Sequence, residues 1–246
     1  MLSQNKTTLI TGASRGIGKV TVKIFAENGW DVIAHARKHT KEIENYLSEL
    51  AEMNKVSVTP VYFDMLDSAA MKECVKELKK NKVTIDSLVN NAGIAHGCLF
   101  QMTPISMIKN VFDVNLFAHM ELTQLVLKIM AKENASIVNV ASVAGTDFRG
   151  GNSAYGVSKA AMIAWTKVLQ TELHGKVRVN VVAPGLTETD MALEMEDKLQ
   201  AITLSRAVIG RLAKPEEVAK AIYFLSSDDA SFITGQVLKV DGGGGI

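Results

Sequence analysis

"TGASRGIG", Thr11–Gly18, places three glycines in eight positions near the start of a 246-residue chain. The stretch before it, "KTTLI", is short, β-branched and apolar, the composition of a buried strand. After it comes "KVTVKIFAENG", in which Val20, Ile24 and Phe25 form an apolar stripe and Gly29 supplies a C-terminal stop. The glycines therefore sit on a turn from strand to helix. In that position glycine permits a tight turn, close approach of backbone N–H groups to a phosphate, and packing of the helix on the strand. The helix N-terminus adds partial positive charge suited to a pyrophosphate. The spacing of Gly12, Gly16 and Gly18 is Gly-x3-Gly-x-Gly, unlike the common Gly-x-Gly-x2-Gly fingerprint, and no Gly-Lys-Ser/Thr follows to make a P-loop. Alone, such a turn is also compatible with a purely structural bend, so the rest of the chain decides.

With 47% hydrophobic residues the chain is long enough for one large α/β domain, residues 1–246, and nothing in it demands a second. Twenty-seven basic and 26 acidic side chains nearly cancel, so no global field favours nucleic acid or an anionic membrane. Cys74 and Cys98 have no metal-ligand spacing, and the first strand begins too early to leave room for a signal peptide, which points to a reducing cytoplasmic setting. No apolar stretch approaches the roughly 20 residues that span a bilayer.

Strand-like runs alternate with helical stretches: "DVIAHA" at 31–36, "VSVTPVYF" at 56–63, "DSLVNNA" at 86–92, "SIVNVAS" at 136–142, "VRVNVVAP" at 177–184 and "QVLKV" at 236–240. Seven strands with helices between them imply a mostly parallel sheet covered on both faces. The expected form is a doubly wound Rossmann-type domain of strand order 3-2-1-4-5-6-7. The segment 185–212, with Met191 and Met195 among polar residues, lacks a clear pattern and reads as a mobile substrate lid. Ligands of such sheets lie outside the carboxyl ends of the strands, near the reversal of strand order. That rim carries Thr11 and the glycine turn, Arg37, Lys38, Asp64, Asn90–Gly93, Ser142, Pro184 and Gly185.

Beyond Ser142 comes "YGVSK", with Tyr155 and Lys159 four apart at the start of the helical pattern "AAMIAWTKVLQ". Residues four apart share a helix face. An ammonium one turn from a phenol that titrates near about 10 favours the phenolate, so the pair is expected to exchange a proton closer to neutrality. Ser142, on the same rim, offers a second hydrogen bond to the reacting oxygen. "YxxxK" by itself also arises as an ordinary tyrosine and a solvated lysine.

Taken together, "TGASRGIG", "NNAG", "DVN" ending in Asn115, "NVASVAG" with Ser142, "YGVSK", and "PG" followed by Thr189 resemble the short-chain dehydrogenase/reductase family in order and spacing, over essentially the whole chain. The resemblance implies a catalytic tetrad of Asn115, Ser142, Tyr155 and Lys159, and no metal. Asn115 would start a water relay to Lys159, besides satisfying backbone groups inside its helix. Lys159 would also bind the nicotinamide ribose.

At the end of the second strand, "AHARKHT" puts Arg37 and Lys38 where an NAD enzyme usually has a carboxylate, with Arg15 a third cation in the glycine turn, which argues for NADPH. The resemblance implies cofactor contacts from Gly12, Ser14, Arg15, Gly16, Ile17 and Gly18, from Asp64 to the adenine, and from Asn91, Ala92 and Gly93 to the ribose. Pro184, Gly185, Thr187 and Thr189 would lie near the carboxamide and diphosphate.

Within the family the chain is most similar to the 3-oxoacyl-(acyl carrier protein) reductases, through "VAPGLTETDM", "GRLAKPEEVA" and "ITGQVLKVDGGGG". Two departures leave a keto-sugar or other small secondary alcohol open: Glu133 and Gly175 stand where those reductases carry cations for docking the acidic carrier protein. Lys132, Lys176 and Arg178 are close by as substitutes. Phe148, Arg149 and Asn152 are expected near the substrate, and His96 either faces the pocket or is a loop residue. A non-catalytic NADP(H)-sensing protein is a third reading, against which the intact Tyr155 and Lys159 speak. The apolar run "LFAHMELTQLVLKIM" and the helix after Tyr155 suit burial on two faces, as in the family's tetramers.

Overall fold

Each apolar run becomes a strand, and every neighbouring pair of strands is parallel. The computed structural model describes residues 5–131, 133–190 and 207–244. Strands β1 (Thr7–Ile10), β2 (Asp31–Ala36), β3 (Val58–Tyr62), β4 (Ser87–Asn90), β5 (Ala135–Val140), β6 (Val177–Pro184) and β7 (Val237–Val240) form one sheet of order β3-β2-β1-β4-β5-β6-β7. This is the expected doubly wound Rossmann topology. The order reverses between β1 and β4, and in sheets of this kind a ligand crevice lies there, outside their carboxyl ends.

Alternate residues of each strand feed opposite cores. Leu9, Leu88, Ile137 and Val179 face one side, where they meet α3 (Ser68–Lys80), α5 (Ala118–Val126) and α6 (Tyr155–Glu172). Ile10, Val89, Val138 and Val182 face the other, against α1 (Gly16–Glu27), α2 (Lys41–Asn54) and α7 (Pro215–Ser226). The helices form where their sequences dictate. Thr40 caps α2 by accepting from Ile43 N, and Ile43, Leu47 and Leu50 give it a buried stripe. Asp67 caps α3 through Ala70 N, above a stripe of Met71, Val75 and Leu78. No helix among the described residues is long and apolar enough to cross a membrane.

Two local expectations are corrected. In α1 the buried apolar positions are Val22, Ile24, Phe25 and Ala26, while Val20 is only half-buried, two residues before the first of them and off their stripe. Arg178 is not a surface cation. It is 8% exposed, and its guanidinium donates to the carbonyls of Leu225 (2.8 Å) and Ser227 (2.9 Å), with longer bonds to Ser226 and Ile233 at 3.4 Å. The Leu225, Ser226 and Ser227 carbonyls end α7, where a cation also meets the negative end of the helix dipole. Arg178→Leu leaves the Leu225 carbonyl without a donor, while Ser226, Ser227 and Ile233 keep bonds from Ser136 Oγ, Ala230 N and Asn180 Nδ2, and is expected to cost about 2–3 kcal/mol. For a chain of this size that is a Tm drop of roughly 5–10 °C, read by calorimetry; an unchanged Tm would mean that other donors satisfy the helix end.

Candidate active site

The glycine turn is built from two kinds of constraint. Gly12 and Gly16 have φ of +69° and +54°, a region that side chains disfavour. Gly18 has ordinary helical backbone, but a Cβ on it would lie 2.1 Å from the Gly12 carbonyl oxygen, so only glycine lets α1 press onto the end of β1. Arg15 is the N-cap of α1 and provides no side-chain cap, and the first turn holds no acidic residue. The N–H groups of that turn are thus open to an anion. Ser14 and Arg15 are exposed and Ile17 leans on the core. Below the turn, buried His35 accepts from Gly12 N at Nδ1 (3.4 Å) and donates from Nε2 to Phe63 O (2.9 Å), the bonding of a neutral ring. Burial holds its pKa below the usual histidine range.

Across the crevice, β4 ends at Asn90 and side chains take over the backbone of the next residues. Thr11 Oγ1 accepts from both Asn91 N and Ala92 N at 2.9 Å, and Asn91 Nδ2 returns to Thr11 O at 2.8 Å. Asn115 accepts from Ile94 N and donates to Ile94 O, both at 2.9 Å, and donates to Ser158 Oγ at 3.1 Å. It reaches them from a π turn, Asp113–Phe117, between α4 (Ile105–Phe112) and α5. Such a turn carries an extra residue and re-aims the side chains on it. The Cβ position of Gly93 is 3.1 Å from Asn115 Oδ1 and 3.5 Å from Lys159 Nζ, so these two groups converge on one backbone point.

Ser142 follows β5 and caps a short 3-10 turn, accepting from Ala144 N at 3.1 Å. That turn lies directly on the start of α6. A Cβ on Gly145 would be 2.7 Å from the Lys159–Ala160 backbone, and one on Gly156 would be 2.7 Å from Ala144 O. The two glycines bring Ser142 against Tyr155, the first residue of α6, with Lys159 one turn on. Lys159 is 3% exposed and donates to Val140 O at 2.8 Å, its Nζ 6.0 Å from the Tyr155 ring centroid. The electrostatics correct the expectation of a phenol already lowered by the ammonium. Burial raises the Tyr155 pKa, opposed by the Ser142 hydroxyl beside it, and burial pushes Lys159 down to about 8.

Known proteins are similar to this chain along nearly its whole length. A family model described as enoyl-(acyl carrier protein) reductase matches residues 12–244. The chain is 42% identical over 245 residues to a 3-oxoacyl-[acyl-carrier-protein] reductase FabG of Thermotoga maritima, covering 99% of each chain. The chain belongs to the short-chain dehydrogenase/reductase family. It is also 34% identical to the Escherichia coli FabG, over 98% of this chain and 97% of that one. A short-chain dehydrogenase from Burkholderia cenocepacia, solved in complex with NADP, superposes with a TM-score of 0.91 at 30% identity over 99% of both chains.

In this short-chain dehydrogenase/reductase the remaining rim residues fall at the strand ends as expected. Arg37 and Lys38 are exposed beyond β2 and make no ion pair among the described residues, whereas Arg15 pairs with Asp190 at 3.3 Å. Asp64 is exposed after β3, its carboxylate accepting from Leu66 N at 2.9 Å. Pro184 ends β6; Gly185 lies against Asp241, where a Cβ would be 2.8 Å from its Cα. Thr187 and Thr189 fold back by donating to Gly185 O and Thr187 O, and Thr189 Cγ2 sits 3.3 Å from the Cβ position of Gly16, closing the far side of the glycine turn.

On the substrate side Cys98 N donates to Gly151 O at 2.9 Å, so the segment carrying His96 borders Asn152. His96 has a buried Nε2 without a partner among the described residues. Phe148 is exposed and Arg149 half-buried beside it. Of the expected lid, 191–206 with Met191 and Met195 lies outside the described residues, as does Lys132. Glu188 N donates to Ala213 O and Ala213 N to Leu186 O, tying the two ends of that segment together. Glu133, Gly175 and Lys176 are exposed. Residues given no role in the sequence include the buried histidines His35 and His119, and Asn139 and Thr166, which extend a polar chain from Asn90. Their only sequence signal is a polar residue inside an otherwise apolar strand or helix pattern.

Proposed function

We propose that the chain reduces a ketone to a secondary alcohol with NADPH, and that its substrate is a 3-oxoacyl group carried on acyl carrier protein, giving the 3-hydroxyacyl product of fatty acid biosynthesis. The observation that carries the reading is the convergence of Ser142, Tyr155, Lys159 and Asn115 on one rim beside a glycine cradle. The substrate rests on the 42% identity to a FabG over 99% of both chains.

The residues fit a dinucleotide phosphate. Gly12, Ser14, Arg15, Gly16, Ile17 and Gly18 would hold the diphosphate at the open first turn of α1, and Arg37 and Lys38 the 2′-phosphate. Asp64 would meet the adenine, Asn91, Ala92 and Gly93 the ribose, and Pro184, Gly185, Thr187 and Thr189 the nicotinamide side. NADPH, when bound, supplies the hydride that the carbonyl carbon accepts. Tyr155 donates its phenolic proton to the carbonyl oxygen while the Ser142 hydroxyl donates a hydrogen bond to the same atom. Lys159 stabilises the phenolate left behind, and Asn115, beside it at Gly93, begins its relay to solvent. The tied ends of 185–212 support that segment as a lid over the substrate.

Arg37→Ser with Lys38→Ser should raise the KM for NADPH by about 10–100-fold, the loss of one or two charge-assisted bonds, and leave the KM for NADH nearly unchanged. An equal effect on both cofactors would remove the 2′-phosphate assignment. Exposed apolar side chains on α4, the π turn and α6 (Ile105, Phe117, Val157, Val168) and on α7 and the C-terminal segment (Phe224, Phe232, Leu238) support a tetramer of 222 symmetry.

The test is NADPH oxidation with one 3-oxoacyl group presented on acyl carrier protein and as a short pantetheine thioester. Much higher kcat/KM on the carrier is the expected result. Negligible reduction of both, with NADPH binding retained, would favour the second reading, a small keto-sugar or secondary alcohol. Glu133 and Gly175 favour that reading, as does the inward Arg178, which leaves Lys176 as the described surface cation at this place.

A further inference from the structure

The backbone just before Gly93 is held from below by a histidine outside the tetrad. His119 lies on α5 and is fully buried, with Nε2 2.7 Å from the Ala92 carbonyl oxygen and Nδ1 3.2 Å from Asn90 Oδ1. Burial, aided by the charge on Lys159, pushes its pKa down to about 3, so the ring is neutral and has one N–H to give. The shorter contact identifies Ala92 O as the acceptor, and Nδ1 rests against the Asn90 side chain.

The segment Asn91–Ile94 is thereby fixed on three sides by side chains. Thr11 takes the N–H groups of Asn91 and Ala92, Asn115 takes both backbone groups of Ile94, and His119 takes the Ala92 carbonyl between them. Without a donor the part-buried Ala92 carbonyl would cost free energy in place, and the Ala92–Gly93 peptide is free to turn toward another partner. Turning it moves Gly93, the point on which Asn115 and Lys159 converge.

We propose that His119 is a positioning residue for the dinucleotide, fixing through the Ala92 carbonyl the Ala92–Gly93 peptide that supports the nicotinamide ribose. This rests on the NADPH reading above. The geometry of the ring supplies a selective pair of variants: a glutamine amide nitrogen reaches the place of Nε2, and an asparagine amide nitrogen that of Nδ1. Both keep a polar group in the site, and only the first can still donate to Ala92.

The measurement is NADPH affinity by nicotinamide fluorescence, with Tm recorded for each protein. His119→Gln is expected to bind within about threefold of the parent and His119→Asn roughly tenfold more weakly, as loss of one hydrogen bond from a fully buried ring implies. Thr123→Val removes a neighbouring bond to Asn90 without touching Ala92, and should lower Tm while leaving the affinity unchanged. Equal affinity of the Gln and Asn variants would overturn the proposal and leave His119 a satisfied core histidine, as would a Thr123→Val protein that binds as weakly as the Asn variant. A parent protein that fails to bind NADPH would instead remove the cofactor reading, and this role with it.

Discussion

Tyr155→Phe will lower kcat/KM for carbonyl reduction by about 10³-fold, the usual worth of a positioned general acid, while NADPH affinity stays within a few-fold of the parent. The substitution removes one oxygen from a ring whose position is set elsewhere. Gly156, under Ala144 O, and Gly145, under the Lys159 backbone, fix the start of α6 against the Ser142 turn whether or not the phenol is present. Burial raises the Tyr155 pKa, so the proton to be donated is retained through neutral pH. Lys159 behaves in the opposite sense. Its pKa falls to about 8, so its charge is present below that value and lost as pH rises through it. Where the ammonium is needed to stabilise the phenolate left by proton transfer, kcat/KM of the parent should fall above about pH 8, and steady-state rates between pH 6 and 10 would show it. A Tyr155→Phe protein with parental turnover would remove Tyr155 as the acid.

The difference between Tyr155 and its electrostatics is also the difference between what the sequence contains and what only folding creates. The alternation of strands with helices, the turn at Gly12–Gly18 and the four-residue spacing of Tyr155 and Lys159 are carried by local patterns: short apolar runs, Gly/Pro punctuation and one helical turn. The burial that governs both pKa values comes from groups distant in the chain, such as Val140 O, 19 residues before Lys159. Arg178 was misjudged for the same reason. Its charge suggests surface, but its acceptors lie 47 to 55 residues later, three at the end of α7 and one at Ile233 beyond it, and no local pattern announces a buried cation with backbone partners. The π turn under Asn115 is likewise invisible, since one extra residue in a helical run leaves the apolar pattern nearly intact. His35 and His119 stood in plain view as polar interruptions. Their acceptors, Phe63 O and Ala92 O, are backbone atoms, which have no residue identity to read.

Gly18→Ala separates the two reasons for glycine in the turn, and it is expected to weaken NADPH binding by more than about 100-fold, or 2.7 kcal/mol. The new Cβ would lie 2.1 Å from Gly12 O and 2.5 Å from Asn91 Nδ2. Gly12 O is backbone, so no rotamer relieves the overlap, and α1 must move away from β1 by about an ångström or more. That motion carries off the N–H groups of the first turn of α1 and strains the Asn91 bond to Thr11 O, disturbing both walls of the crevice together. Gly29→Ala is the matched control. Gly29 has φ +76° and nothing within 4 Å of its Cβ position, so alanine there meets backbone strain but no contact. It should lose about 1–2 kcal/mol of stability and keep parental NADPH affinity. Measured together by calorimetry and cofactor titration, the two variants should differ in binding far more than in Tm. Parental affinity in Gly18→Ala would mean that the close approach of α1 to β1 is not what forms the phosphate site, and the assignment of the diphosphate to that turn would fall with it.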